Sequence, residues 1–266
     1  MKLFASDYDG TYAKHTLKGQ LEIRKNIKVT KKWQEAGHLF VFATGRSISL
    51  LQLEQRLHGM VYDYIIGLNG GIIVSKTGEV LFCQSFDKEV AQAIIALVKQ
   101  EDSLQYSVTD GISAHYHTVF GVTHKFFYLF FFLKIFVKAY RLSLEQALQN
   151  PVALISVKLK TSKKAQTFAK KINDQFGDEV VAFSNLNYVD IVAKGLSKAT
   201  GVKEVAKLHE IEANDVYCMG DSFNDIPMFE EYHGLTVPEA NVMIKKQAEA
   251  IFETVGEALK AILKDG

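Results

Sequence analysis

The pattern of apolar and polar positions changes texture twice along the chain. Near the N-terminus short apolar runs alternate with longer stretches of helical periodicity. This spacing predicts a strand over 3–6, a helix over 18–36, a buried strand over 38–43, a helix over 47–57 and a strand over 64–67. Strands alternating with helices imply a parallel sheet with helices on both faces. From residue 70 the texture shifts. Residues 70–74 and 79–84 flank Lys76-Thr77-Gly78 as a hairpin, 87–99 reads as an amphipathic helix, and 107–117 reads as a strand interrupted by Gly111. Further strands are predicted at 152–160, 180–184 and 188–192, around a lysine-rich helix over 161–176. The first texture then returns, with helices over 198–209, 225–231, 241–249 and 255–263 and strands over 215–219 and 234–236. The expected fold is therefore α/β: a parallel-sheet domain in two stretches, 1–83 and 187–266, split by an α+β insertion over 84–186.

Composition narrows the class of protein. A length of 266 residues allows one large domain or two moderate ones. With 48% hydrophobic and 23% charged residues the chain reads as an ordinary globular protein. The formal net charge of +1 gives no reason to expect nucleic acid or an anionic membrane as partner. Cys83 and Cys218 stand far apart and outside any CxxC pattern, as expected of small buried side chains in a reducing compartment. No signal-peptide layout precedes the first strand, so a cytoplasmic location is expected. The apolar run 126–133, continuing to 137, is bracketed by His124, Lys125, Lys134 and Lys138. It falls short of the roughly 20 residues a spanning helix needs. A buried or interface helix, or a lid face, is expected there. Oligomeric state is not legible.

Candidate chemistry gathers in four polar turns. Asp7 and Asp9 leave the first strand two residues apart, so both start on one side, and Gly10-Thr11 follows. Two neighbouring carboxylates need a cation or a proton to share their charge. Thr44-Gly45-Arg46 closes the second strand, where a hydroxyl and a permissive backbone next to a helix start make an anion site or a simple helix cap. Lys198 opens a helix and is either a solvated lysine or a point charge for phosphate or carboxylate. Gly220-Asp221-Ser222-Phe223-Asn224-Asp225 follows the strand 216–219 and puts Asp221 and Asp225 one helical turn apart. All four follow a predicted parallel strand or open a neighbouring helix, so they can converge on one rim, where open α/β sheets bind ligands. Together they form an inventory suited to Mg²⁺ and phosphate.

At this point the chain resembles the haloacid dehalogenase (HAD) superfamily. Asp7-Tyr8-Asp9-Gly10-Thr11 matches its first motif, DxDGT; Thr44 matches the second, Lys198 the third, and 220–225 the fourth, GDxxND. The insertion between motifs two and three is similar to that of the type IIB, Cof-like sugar phosphatases, as are Gly195-Leu196-Ser197-Lys198-Ala199 and Leu68-Asn69-Gly70-Gly71. Two positions depart from that pattern, Ala199 for glycine and Gly71 for alanine, and neither removes a functional group. The resemblance implies a Rossmann-like parallel-sheet HAD core with an inserted α+β cap of type C2B. It also implies a Mg²⁺-dependent phosphatase acting on a small phosphate ester. Asp7 would be the nucleophile, and Asp9 the acid and then the base. Mg²⁺ would be held by Asp7, Asp221 and the main-chain carbonyl of Asp9. Thr44, Gly45, Lys198 and Asn224 would contact phosphate, with Asp225, Arg46 and Asn69 supporting the site or its substrate. The insertion would close over the site as a cap, where His115, Tyr116 and His117 could reach a sugar or simply pack. A phosphomutase and a non-catalytic phosphometabolite-binding protein are the alternatives; a dehalogenase suits two first-motif carboxylates less well.

Overall fold

The computed structural model describes residues 1–14, 17–111, 114–118 and 142–264. The expected apolar segment at 126–137 lies outside the described residues, as does the side chain of Tyr116. Along the chain run β1 (Leu3–Ser6), β2 (Leu39–Ala43), β3 (Tyr64–Gly67), β4 (Ile72–Ser75), β5 (Val80–Cys83), β6 (Ser103–Thr109), β7 (Ala114–Thr118), β8 (Leu154–Leu159), β9 (Val180–Asn185), β10 (Tyr188–Ala193), β11 (Val216–Met219), β12 (His233–Thr236) and β13 (Ala250–Ile251). The chain divides into two compact units, one of 1–82 with 197–266 and one of 83–196.

The first unit is built on an eight-stranded sheet in the order β13-β12-β11-β1-β2-β3-β4-β5. Strands β13 to β3 of that order run parallel, and β4 turns back antiparallel on β3. Leu3, Phe4, Ala5 and Ser6 are all buried, as a central strand covered on both faces requires. Phe4 stacks on Phe40 at 5.9 Å, and Tyr12 meets Phe42 edge-on at 4.8 Å. Trp33, on the helix Leu17–Glu35, is fully buried and donates its indole N–H to the Leu39 carbonyl at 2.8 Å. Because β1 lies between β2 and β11, the polar turns after all three leave the same edge of the sheet.

The second unit is a five-stranded sheet in the order β7-β6-β8-β10-β9, antiparallel at each of its pairings. Helix Ser162–Phe176 packs on it through Ala165, Phe168, Ala169 and Ile172. Three expectations need correction. The single strand expected over 107–117 is an antiparallel pair, β6 and β7. The stretch 187–196 belongs to the second unit, because β10 pairs with β8 and β9 and not with the larger sheet. The helix over 241–249 is also shorter than expected, ending at Gln247; Ala248 turns extended and leads into β13. No helix among the described residues is long and apolar enough to cross a membrane.

Candidate active site

The chain builds the site by ending β1, β2, β3 and β11 in turns that touch one another. Asp7 continues β1 and donates its main-chain N–H to the Met219 carbonyl at 2.8 Å, which ties the first and fourth motifs at the backbone. Gly10 then takes φ +80°, and a Cβ there would collide with the Asp221 carboxylate, so only glycine lets the first turn lie against the fourth. Thr11 donates its hydroxyl to Asp221 Oδ1 at 3.2 Å. At the end of β3, Leu68 and Asn69 both adopt left-handed conformations. The turn is held by N–H bonds from Leu68 to the Arg46 carbonyl and from Asn69 to the Thr44 carbonyl. Gly70 packs so closely on the Ser197 carbonyl that no Cβ would fit. That contact seats helix Lys198–Leu208, whose first turn is closed by a reciprocal Ser197–Thr200 capping box.

Lys198 is the centre of the constellation. Its side chain is 1% exposed, and its Nζ donates to Asp7 Oδ1 and to Asp225 Oδ1, both at 2.6 Å. Burial alone would lower its pKa, but Asp225 and Asp7 hold it raised, so it stays an ammonium. Asp225 is fully buried and spends its other oxygen on the main-chain N–H groups of Asp221 and Ser222, at 3.0 and 2.9 Å. It therefore shapes the turn that presents Asp221.

Carboxylate oxygens of Asp7, Asp221 and Asp225 all lie within 4.8 Å of one another. Three carboxylates face one ammonium, an excess of two negative charges when all are ionised. Burial, opposed by Lys198 and reinforced by Asp225 and Asp221, pushes the Asp7 carboxyl well up. Burial and Asp225 push Asp221 up to about 6. Beside the cluster, the side-chain oxygen of Asn224 is buried without a hydrogen-bond partner, while its amide nitrogen donates to Asn69 Oδ1 at 2.9 Å. An all-oxygen donor set, an excess of two negative charges and an orphaned acceptor that a cation-bound water would satisfy fit a hard divalent cation such as Mg²⁺. A carboxylate with a raised folded pKa contributes stability below its ordinary range and loses it as pH climbs toward the raised value. Without cation the fold should weaken as pH rises from about 4 to about 6 on account of Asp221. The rise in Tm on adding Mg²⁺ should thus be larger at about pH 8 than at about pH 5, and Asp221→Asn should flatten that difference. Differential scanning fluorimetry at the two pH values checks this.

Asp9 is held differently. Its carboxylate is gripped by Arg46, Nε to Oδ2 and Nη2 to Oδ1, both at 2.6 Å. The side-chain cluster with Asp7 and Asp221 is thus completed by Asp225 rather than Asp9. Thr44 is buried, and its hydroxyl oxygen accepts the Arg46 N–H at 3.1 Å, so it caps its own turn while its proton stays free to donate. Arg46, expected only as a supporting or substrate contact, also donates Nη1 to Glu54 Oε1 at 3.2 Å. Glu54 went unnoticed in the sequence, since a glutamate within a predicted amphipathic helix carries no signal of its own. In the second unit, His115 bonds the Leu142 carbonyl through Nδ1 at 2.9 Å, and His117 stacks on Tyr106 at 4.8 Å.

The fold and the site define an α/β protein whose carboxylates and buried lysine meet at the carboxyl edge of a parallel sheet. Residues 4–262 match the haloacid dehalogenase-like hydrolase family, and the chain belongs to it; the protein is a hydrolase. An uncharacterized protein of Mycoplasma capricolum is 24% identical over 269 residues, covering 96% of this chain and 98% of that one. Among solved structures, a haloacid dehalogenase-like hydrolase from B. subtilis aligns with TM-score 0.77 and 22% identity over 98% of this chain and 99% of that chain. The HAD subclass IIB sugar phosphatase BT4131 aligns with TM-score 0.76 and 19% identity, again over 98% and 99%.

Proposed function

We propose that the protein is a Mg²⁺-dependent phosphatase that hydrolyses small phosphorylated metabolites, sugar phosphates among them, through an aspartyl-phosphate on Asp7. The observation that carries this reading is the buried Lys198 bridging Asp7 and Asp225 beside Asp221. Likeness to a structure named as a sugar phosphatase supports the substrate class. Asp7 and Asp221 would hold Mg²⁺ through side-chain oxygens and Asp9 through its main-chain carbonyl, with Asp225 orienting the turn. When bound, the ion offsets the charge of the phosphoryl oxygens. Asp7 attacks phosphorus, the ester oxygen leaves, and Asp9 gives that oxygen its proton. Water then attacks the phosphoryl group, the bond to Asp7 breaks, and Asp9 takes the water's proton. Thr44, the Gly45 amide, Lys198 and Asn224 hold phosphoryl oxygens or their hydration, which is where charge develops. We assign the first unit the role of catalytic core and the second that of cap, the source of substrate choice.

The test is a phosphate-release screen over a panel of metabolite esters with Mg²⁺. EDTA should abolish release, and added Mg²⁺ should restore it. Full activity in metal-free buffer would reject the metal's role. An isomeric ester in place of free phosphate would make the enzyme a phosphomutase, and no turnover of any ester would leave a binding protein.

A further inference from the structure

Beyond the carboxylate–lysine cluster, the first unit holds a second charged network. Arg46 sits at its centre with a side chain 21% exposed. One edge of its guanidinium, through Nε and Nη2, grips Asp9, Nη1 donates to Glu54, and its face lies over the Tyr8 ring with Cζ 4.8 Å from the centroid. The Tyr8 ring is buried edge-on against Phe42, and burial with the negative charge of Glu54 pushes the pKa of its hydroxyl up. Glu54 also pairs with His58 one turn on, at 3.4 Å, within helix Ile48–His58. The guanidinium is thereby located in all directions: an aromatic face beneath it, Glu54 behind it and Asp9 before it. An arginine held only by Asp9 would be free to swing with that carboxylate, because a long side chain keeps much of its rotamer entropy when anchored at one point.

We propose that Glu54, together with Tyr8, is a positioning residue that seats Arg46, and through it fixes the carboxylate of Asp9 for activating the water that hydrolyses the aspartyl-phosphate. The inference rests on the phosphatase reading above. In the step concerned, water oxygen bonds to phosphorus, the phosphorus–oxygen bond to Asp7 breaks with its electron pair returning to that carboxylate, and the water's proton passes to Asp9. Arg46 presents Asp9 with both oxygens accepting, the arrangement of a proton acceptor. Where the leaving group departs as a stable anion and needs no proton from Asp9, the effect of Glu54 therefore falls on the second half-reaction. Leaving-group departure belongs to the first.

The two half-reactions separate kinetically. kcat/KM reports steps up to loss of the leaving group, whereas kcat includes hydrolysis of the phosphoenzyme. The experiment compares wild type, Glu54→Ala, Glu54→Gln and Tyr8→Phe on para-nitrophenyl phosphate, whose leaving group departs as a stable anion, so that only the second half-reaction calls on Asp9. Acid-quenched phosphoenzyme is measured alongside. Glu54→Ala should lower kcat about tenfold, less than the roughly 10²–10⁴-fold of a general acid–base group itself because Asp9 remains in place, with kcat/KM changed less than about twofold. KM should fall in step, and the phosphoenzyme fraction should rise. Glu54→Gln and Tyr8→Phe, which preserve shape, should show the same split at smaller size. Equal losses in kcat and kcat/KM without phosphoenzyme accumulation would mean a merely structural role and overturn the proposal, as would an unchanged kcat. Absence of phosphate release by the wild type would instead overturn the phosphatase reading on which it stands.

Discussion

Asp7→Asn should cost at least about 10⁴-fold in turnover while leaving the fold intact. Asparagine keeps the shape, and its side-chain oxygen can still accept from Lys198, now 2.6 Å from Asp7 Oδ1. The backbone bond from residue 7 to the Met219 carbonyl does not involve the side chain. The substitution also removes one negative charge from a crowded group of three, two of them buried. The cation-free variant should therefore melt no lower than wild type above about pH 6, where the remaining carboxylates repel. Steady-state kinetics and a melting curve on the same preparation check both halves. Comparable kcat in variant and wild type would remove Asp7 from the nucleophile's role.

Lys198→Met should be the most destabilising single change in the first unit. Methionine fills similar volume, so the loss is electrostatic: Asp7 and Asp225, 5% and 0% exposed, would share no cation. Removing one partner of a buried ion pair costs about 3–5 kcal/mol. For a domain of this size that lowers Tm by roughly 6–20 °C. The loss should shrink toward about pH 5, because a proton can take the place of the ammonium on a buried carboxylate. Asp7→Asn combined with Lys198→Met should recover part of it, since the pair is coupled. Melting curves of the two single variants and the double variant measure that coupling directly.

Much of the larger sheet was legible because its strands are short, continuously apolar runs that end in Asp, Thr-Gly or Asn-Gly turns. A strand buried on both faces cannot be written otherwise. The motif residues were legible for a related reason, since each lies directly after such a strand. The boundary at 196 was not legible. β10 is as apolar as a core strand, and only its pairing with β8 and β9 shows which sheet it joins. β13 was missed because two residues, Ala250 and Ile251, carry no periodicity. The identity of Asp9's partner was equally hidden. Arg46 stands 37 residues away, and Glu54 eight further on, and nothing in their neighbours' polarity distinguishes them from solvated charges.

The position of β1 at the heart of the sheet has a consequence for how the chain comes to be folded. Its two flanking strands are β2, made soon after it, and β11, made only after the second unit. Thr11 and the carboxylate it contacts are 210 residues apart. At ribosomal rates of about 5–20 residues per second, that interval is roughly 10–40 s, during which one side of β1 has no neighbour. Asp7 emerges early, whereas its ammonium partner and the turn that steadies it arrive only after the whole second unit has been synthesised. Nascent chains halted before Met219 should therefore be protease-sensitive in their first 80 or so residues, while the α+β unit can already be resistant. Catalytic competence in this protein waits in biosynthesis on the strand that closes the second side of β1.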